Sequence, residues 1–550
     1  MNPAIFYHPE AYTTSGPKLM GRNAAGESFL RGFIQHSKGK EFWLQVQRQE
    51  HAQHFVKTAM ALGRPEPVRV VTKTHLAGLE RASVVYYPGP GIGENAWQRA
   101  VHGHGAWSLC GITHTTASAG AMDGITQLLT TPVQPWDALI CTSAAVKNNV
   151  ELLLQAQSDF LQSRLACRQF VYPQLPVIPL GIHTSDFEFT PEQKASARLS
   201  MGIDADTVVV LFMGRLSFHA KAHPLAMYQA LQRACTAADK KVVLVECGWH
   251  ANEYIAGAYQ EAAQLACPSV DVLQMDGRDA ESRNRAWACA DIFCSLSDNI
   301  QETFGIVPIE AMAAGLPVVV SDWDGYKDTV RHGKDGFRIP TCMPQAGLGS
   351  DLAYRHALEI DTYDMYCGNT CTMVAVDVEA TALAFFELFN SEELRLRMGE
   401  AGRIRARQRF DWSVIIAQYE NLWEELEVFR MTQAPNLQTL AHPWPARMDP
   451  FHAFASYPTD ILSPQTLLVL VDATPEDALR RLQPLRALTM VDFANQMLPT
   501  ERELSLILEQ GGATPRPASK WVSGIVAERQ AFVFRSLAWL LKMGVLKRVG

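Results

Sequence analysis

Two carboxylates, Glu302 and Glu310, stand eight positions apart in residues 295–325, SLSDNIQETFGIVPIEAMAAGLPVVVSDWDG. A carboxylate on a helix whose other faces are Ile, Val, Ala and Met is costly unless something hydrogen-bonds it, so Glu310 needs a partner, and a ligand can be that partner. Just before it, the backbone N–H groups of Phe304, Gly305 and Ile306 open the helix, where free donors and the helix dipole favour a phosphate. Glu302 sits at the mouth of the same turn. Upstream, Arg215 and Lys221 follow the apolar run TVVVLFM and precede a helix. Two cations so placed suit a diphosphate leaving group, through bidentate and point-charge contacts respectively.

The elements that must hold these groups are legible around them. Between Gly305 and Gly315 the spacing predicts a short buried helix, with Pro308 in its first turn, Gly315 just past its last and Pro317 preventing continuation. Residues 317–321 then form a continuous apolar run, the mark of a parallel strand buried on both faces. A pair of carboxylates also raises the possibility of a retaining glycosidase, which needs them about 5–5.5 Å apart. Eight residues of helix span roughly 12 Å, so this pair is poorly placed for that role and better placed to meet two ends of an extended ligand.

The run ETFGIVPIEAMAAGLPVVVSD resembles the signature of the family 4 retaining glycosyltransferases of GT-B fold. The resemblance covers about residues 1–430 and implies two Rossmann-like doubly wound domains facing a cleft. It also implies that a nucleotide-diphosphate-sugar donor is used with retention at the anomeric carbon. Under it Glu302 meets the donor sugar and Glu310 the ribose, Arg215 and Lys221 hold the phosphates in a Gly-Arg-Leu…Lys pattern, and His114, at the end of an N-terminal strand, faces the sugar. The usual Lys-Gly is Lys221-Ala222 here. The loop GPKLMGRNAAG, residues 16–26, matches a glycine-containing loop that meets phosphates and acceptor, which singles out Gly21 and Gly26; Arg278, in Asp-Gly-Arg, falls where a base-contacting loop is expected. No cofactor is required and no metal is expected. Asp322-Trp323-Asp324 has a D-x-D form, but it follows the signature strand, and D-x-D metal sites belong to the other, single-domain transferase fold.

Length and composition set the frame. A chain of 550 residues suggests two or three domains, and a net charge of −8 argues against a general nucleic-acid binder. There is no run of about 18 apolar residues, and MNPAIFYHPEAY lacks the basic-then-apolar pattern of a leader, so a cytoplasmic protein is expected, with peripheral membrane association left open. Eleven scattered cysteines suit buried free thiols. Cys367 and Cys371 form a C-x-x-x-C in what reads as a loop, without further ligands at zinc spacing.

Along the chain, residues 1–180 alternate short β-rich runs (5–8, 42–46, 68–72, 83–87, 107–113, 138–142) with helical patterns (27–36, 53–62, 145–165), a doubly wound α/β pattern that the resemblance makes the acceptor-side domain. The stretch VIPLGIHTSD resembles the family's junction, which implies a nucleotide-sugar-binding domain over residues 181–410 and a closing helix at 411–430 crossing back. Residues 341–372 break the pattern as an insertion. Residues 431–465 read as a linker. Residues 466–550 form a small module of helix-like stretches (467–470, 476–482, 501–509, 527–543) ending in GVLKRV, with a winged-helix flavour and a role in docking or self-association. The function expected is transfer of a sugar to an unidentified glycan, lipid or protein acceptor. The alternatives are a phosphorylase or epimerase on the same fold, and a nucleotide-sugar-binding regulator without transferase activity.

Overall fold

The computed structural model describes residues 3–13, 21–437 and 442–549, which form two compact units, residues 1–444 and 445–550. The first unit contains two six-stranded sheets in which every pairing is parallel. One is built from β1 (Ala4–Tyr7), β2 (Phe42–Val46), β3 (Val68–Val71), β4 (Val84–Tyr86), β5 (Ser108–Ile112) and β6 (Ala138–Ile140). The other contains β7 (Val208–Met213), β8 (Val242–Gly248), β9 (Asp271–Asp276), β10 (Ile292–Ser295), β11 (Val318–Ser321) and β12 (Gly336–Ile339). Strand order is β3-β2-β1-β4-β5-β6 in the first and β12-β11-β10-β7-β8-β9 in the second. Read from opposite ends the two orders are the same, and each reverses direction between its first and fourth strands, the switch point beside which such sheets bind ligands. This is the doubly wound, two-Rossmann GT-B architecture.

The apolar runs behave as strands covered on both faces require: Val209, Val210, Leu211, Val318, Val319 and Val320 have no exposed surface. Flanking helices complete the layers, and the helix Leu225–Ala238 packs against Val378–Asn390 over the second sheet. The long helix Trp412–Gln433 lies against the helix Gly21–His36 of the first half. Its aromatic residues explain the attachment. Trp412 meets Phe29 edge-on at 5.8 Å, Tyr419 lies 5.8 Å from Tyr86, and Trp423 lies 6.1 Å from Tyr86. The junction is clamped to the start of this helix, with Ile182 N–H donating to Phe410 O (2.8 Å) and Trp412 N–H to Ile182 O (3.0 Å).

Several expectations are corrected. Residues 21–26 are not a loop: a helix starts at Gly21, and a Cβ on Gly26 would stand 2.0 Å from the carbonyl oxygen of Ala11, so Gly26 is needed for packing. The rest of that stretch, 16–20, lies outside the described residues. Cys367 and Cys371 lie one turn apart in a helix, Tyr363–Cys371, and both are buried. The insertion is ordered, with the helices Ser350–Ala357 and Tyr363–Cys371 between β13 (Thr341–Cys342) and its antiparallel partner β14 (Ala375–Val376).

In the second unit, residues 467–470 are a strand, β15 (Leu467–Leu470), rather than a helix. Four apolar residues carry no period, and pairing decided between the two. β15 is central, flanked antiparallel by β16 (Arg516–Pro517) and β17 (Leu546–Arg548), which do not pair with each other, so among the described residues there is no winged-helix hairpin. The helices Pro475–Arg486, Glu501–Glu509 and Ala527–Lys542 pack around them, with Trp521, Leu468, Ile507, Leu508, Leu537 and Leu540 in the core. No helix among the described residues is long and apolar enough to cross a membrane.

Candidate active site

In the second sheet the switch point falls between β7 and β10. The chain leaves β7 into Gly214-Arg215 and leaves β10 into residues 296–302, so Arg215 and Glu302, 87 positions apart, meet at one crevice because of strand order. The two loops are tied together. Asn299 Nδ2 donates to His219 O (3.0 Å), its Oδ1 accepts from Gln301 N–H (2.9 Å), and buried Asp298 accepts from His223 N–H (3.2 Å). Burial lifts Asp298 to about 7.

At the centre Lys221 Nζ lies 2.5 Å from Glu302 Oε2. Burial pushes the Glu302 carboxyl up, but the Lys221 charge, its hydrogen bond, and the N–H groups of Thr303 and Phe304 together outweigh that and hold it below the ordinary value. Glu302 is therefore an anion, and it already neutralises Lys221. Arg215 is different. Its Nη2 donates to Ala220 O (2.9 Å) and Gln301 Oε1 (3.1 Å), both neutral acceptors, and no carboxylate among the described residues pairs with it. Of these two cations, Lys221 is compensated and Arg215 is not.

The signature turn follows. The helix is Ile306–Ala313, shorter than the Gly305–Gly315 bounds, with Gly305 as N-cap at φ +83° and no side-chain cap. Gly305 is required twice over, since that φ is left-handed and a Cβ would stand 1.9 Å from the Tyr326 ring. Of the three N–H groups expected to be free, that of Phe304 is engaged by Glu302. Those of Gly305 and Ile306 have no acceptor among the described residues and point the helix start at the crevice. Glu310 is on the next turn, partly buried. Its carboxylate accepts no hydrogen bond among the described residues, and burial, opposed by the charge of Arg283, raises it to about 7. This is the unsatisfied group that the sequence pointed to.

The first half closes over the turn. Thr303 Oγ1 donates to the carbonyl of His114 (2.8 Å), Thr142 Oγ1 to Thr303 O (3.4 Å), and Ser143 Oγ to Asp324 Oδ1 (3.0 Å). The backbone of His114, two residues past β5, is thereby held against Thr303, the residue after Glu302. Asp322 and Asp324 do not converge: Asp322 faces Arg338 at 3.3 Å, while Asp324 faces Ser143 and is lifted to about 7 by burial and by Glu302. Arg278 is bound up with its neighbour, donating from N, Nε and Nη2 to Asp276, which holds that carboxyl down at about 2. Gly21 and Gly26 belong to the helix described above, and Gly26 faces Ala11. Sequence reasoning missed Gln301, Thr303 and Tyr363. Gln301 and Thr303 lay inside the quoted stretch 295–325, and the tyrosine and aspartate content of the insertion hinted at an acceptor or lid role without marking Tyr363 itself.

Residues 193–347 match the family model described as glycosyl transferases group 1. The chain is 28% identical over 252 residues to the phosphatidyl-myo-inositol mannosyltransferase of Mycobacterium tuberculosis, which covers 45% of this chain and 53% of that protein. It is 30% identical over 161 residues to the D-inositol 3-phosphate glycosyltransferase of Mycolicibacterium gilvum, 29% of this chain and 34% of that one. The chain spans about half the length of the first of these relatives and about a third of the second. Among solved structures, the Anabaena protein HepE in complex with UDP superimposes with TM-score 0.48 at 16% identity, over 77% of this chain and 100% of that one.

Proposed function

We propose that the chain is a retaining glycosyltransferase that moves a sugar from a nucleotide-diphosphate-sugar donor without a metal ion. The observation that carries the reading is the grouping, at one switch point, of an uncompensated Arg215, the Lys221–Glu302 ion pair, the open helix start at Gly305 and the unsatisfied Glu310. The match of residues 193–347 to the glycosyltransferase family and the curated relatives support it.

In this reading the diphosphate lies against Arg215 and the helix start, the ribose hydroxyls donate to Glu310, and the sugar lies between Glu302 and His114. As the glycosidic bond breaks, negative charge grows on the diphosphate, and each preorganised donor aimed at it is worth about 3 kcal/mol. Lys221 is drawn toward that charge as it develops, sharing itself with Glu302. The leaving phosphate accepts the acceptor's proton on the face from which it departs, which retains configuration. The acceptor stands on the first half; its identity is a proposal for the same assay.

The test is turnover of a panel of nucleotide-sugars, with and without EDTA, followed by the anomeric configuration of the product. Turnover that survives EDTA and gives the donor's anomer is expected. Inversion, or complete loss on chelation restored by manganese, would overturn the retaining or the metal-free part. Tight nucleotide binding with no turnover of any donor and acceptor would leave a binding protein.

A further inference from the structure

Residues 341–372 run past the end of the family match at 347 and fold into two helices. Asp361 binds them together, accepting from Arg355 at 2.7 Å and Asn369 at 3.1 Å. The second helix, Tyr363–Cys371, lies on the loop that carries Lys221. A Cβ on Gly368 would stand 3.0 Å from the Cβ of His219, so the helix backbone runs against that loop, and the Cys371 sulfur faces the carbonyls of Phe218 and His219.

At the start of this helix, Tyr363 Oη is 3.2 Å from Oγ1 of Thr115, the residue after His114 on the first half of the unit. The side chains of Gln301 and Cys367 lie beside the same phenol. Gln301 Oε1 accepts from Arg215, and between Tyr363 and Thr115 either hydroxyl can donate. Tyr363 thus touches the His114–Thr115 turn directly, while its helix packs on the loop between Arg215 and Lys221.

We propose that Tyr363 is a positioning residue that ties the His114–Thr115 turn to the Gln301–Arg215 pair, and so fixes the leaving-group cation relative to the opposite wall of the cleft. This rests on the reading of Arg215 and His114 given above. The insertion is then a strut of the active site, and Tyr363 acts through Arg215 rather than on substrate.

Tyr363→Phe removes the hydroxyl and keeps the ring, and Thr115→Val cuts the same contact from the other side. In the full-length protein, hydrogen exchange should accelerate in both variants at residues 113–117 and 299–303, with the helix Leu225–Ala238 unchanged. On a nucleotide-sugar that the wild type turns over, kcat should fall about tenfold while the donor KM moves less than about twofold. The double variant should add nothing to either single one. Faster exchange confined to residues 350–373, unchanged kcat, or additive effects would overturn the proposal. If the wild type turns over no donor, the reaction reading fails, and the exchange data alone decide whether Tyr363 couples the two walls.

Discussion

Lys221 and Arg215 look alike in the sequence and differ in the fold, because Glu302 compensates only the first. Arg215→Ala should therefore weaken binding of UDP or GDP by at least tenfold, one charge-assisted bond being worth about 1.5–3 kcal/mol, whereas Lys221→Ala should cost less affinity but still lower turnover. Glu302→Gln releases Lys221 for phosphate, so the bare nucleoside diphosphate should bind at least as tightly as in the wild type while turnover collapses. Calorimetry on these three variants and Glu310→Gln checks this, and weaker diphosphate binding in Glu302→Gln than in Glu310→Gln would reverse the roles of the two carboxylates. Glu310 adds a pH dependence. Its carboxyl is raised to about 7 from 4.5, so the stability it contributes is full below about 4.5 and is lost as pH rises through about 7. Glu310→Gln removes that titration, and the variant should gain ~2 °C in Tm on the wild type in going from pH 5 to pH 8. A gap that is equal at both pH values would show that Glu310 is not the titrating group.

At the scale of elements, the turn into Ile306–Ala313 stands on one glycine. Gly305→Ala puts a Cβ into the Tyr326 ring, whose hydroxyl bonds Ser295 (2.9 Å), at a left-handed φ; about 2–4 kcal/mol of stability should go, with nucleotide binding lost alongside. Retained binding with an unshifted melt would show that the turn tolerates a side chain. This helix was legible because its Pro, Gly and apolar pattern agree with one another. The buried strands β7, β10 and β11 were legible too, as apolar runs too short for helices. The failures share a cause. The LLVL run of β15 and the glycine stretch from residue 21 give no periodic signal, and partners elsewhere in the chain fixed them: β16 and β17 on either side of the one, Ala11 against the other.

For the whole molecule, every proposed site residue lies in the first unit, and the second has a core of its own around Trp521 and Leu508. A chain ended after Trp444 should therefore keep the UDP or GDP affinity of the full protein. A tenfold loss would show that the second unit contributes to the site. The sequence by itself determined the doubly wound class and singled out Glu302, Glu310, Arg215 and Lys221 as candidates, because hydrophobic runs, turn residues and short motifs are local properties. Which of those charges are paired, and that Thr303, Gln301 and Tyr363 join them, was decided only by tertiary structure. Strand order sets which loops share a crevice, and strand order follows from how two sheets bury their faces against helices far apart in the chain.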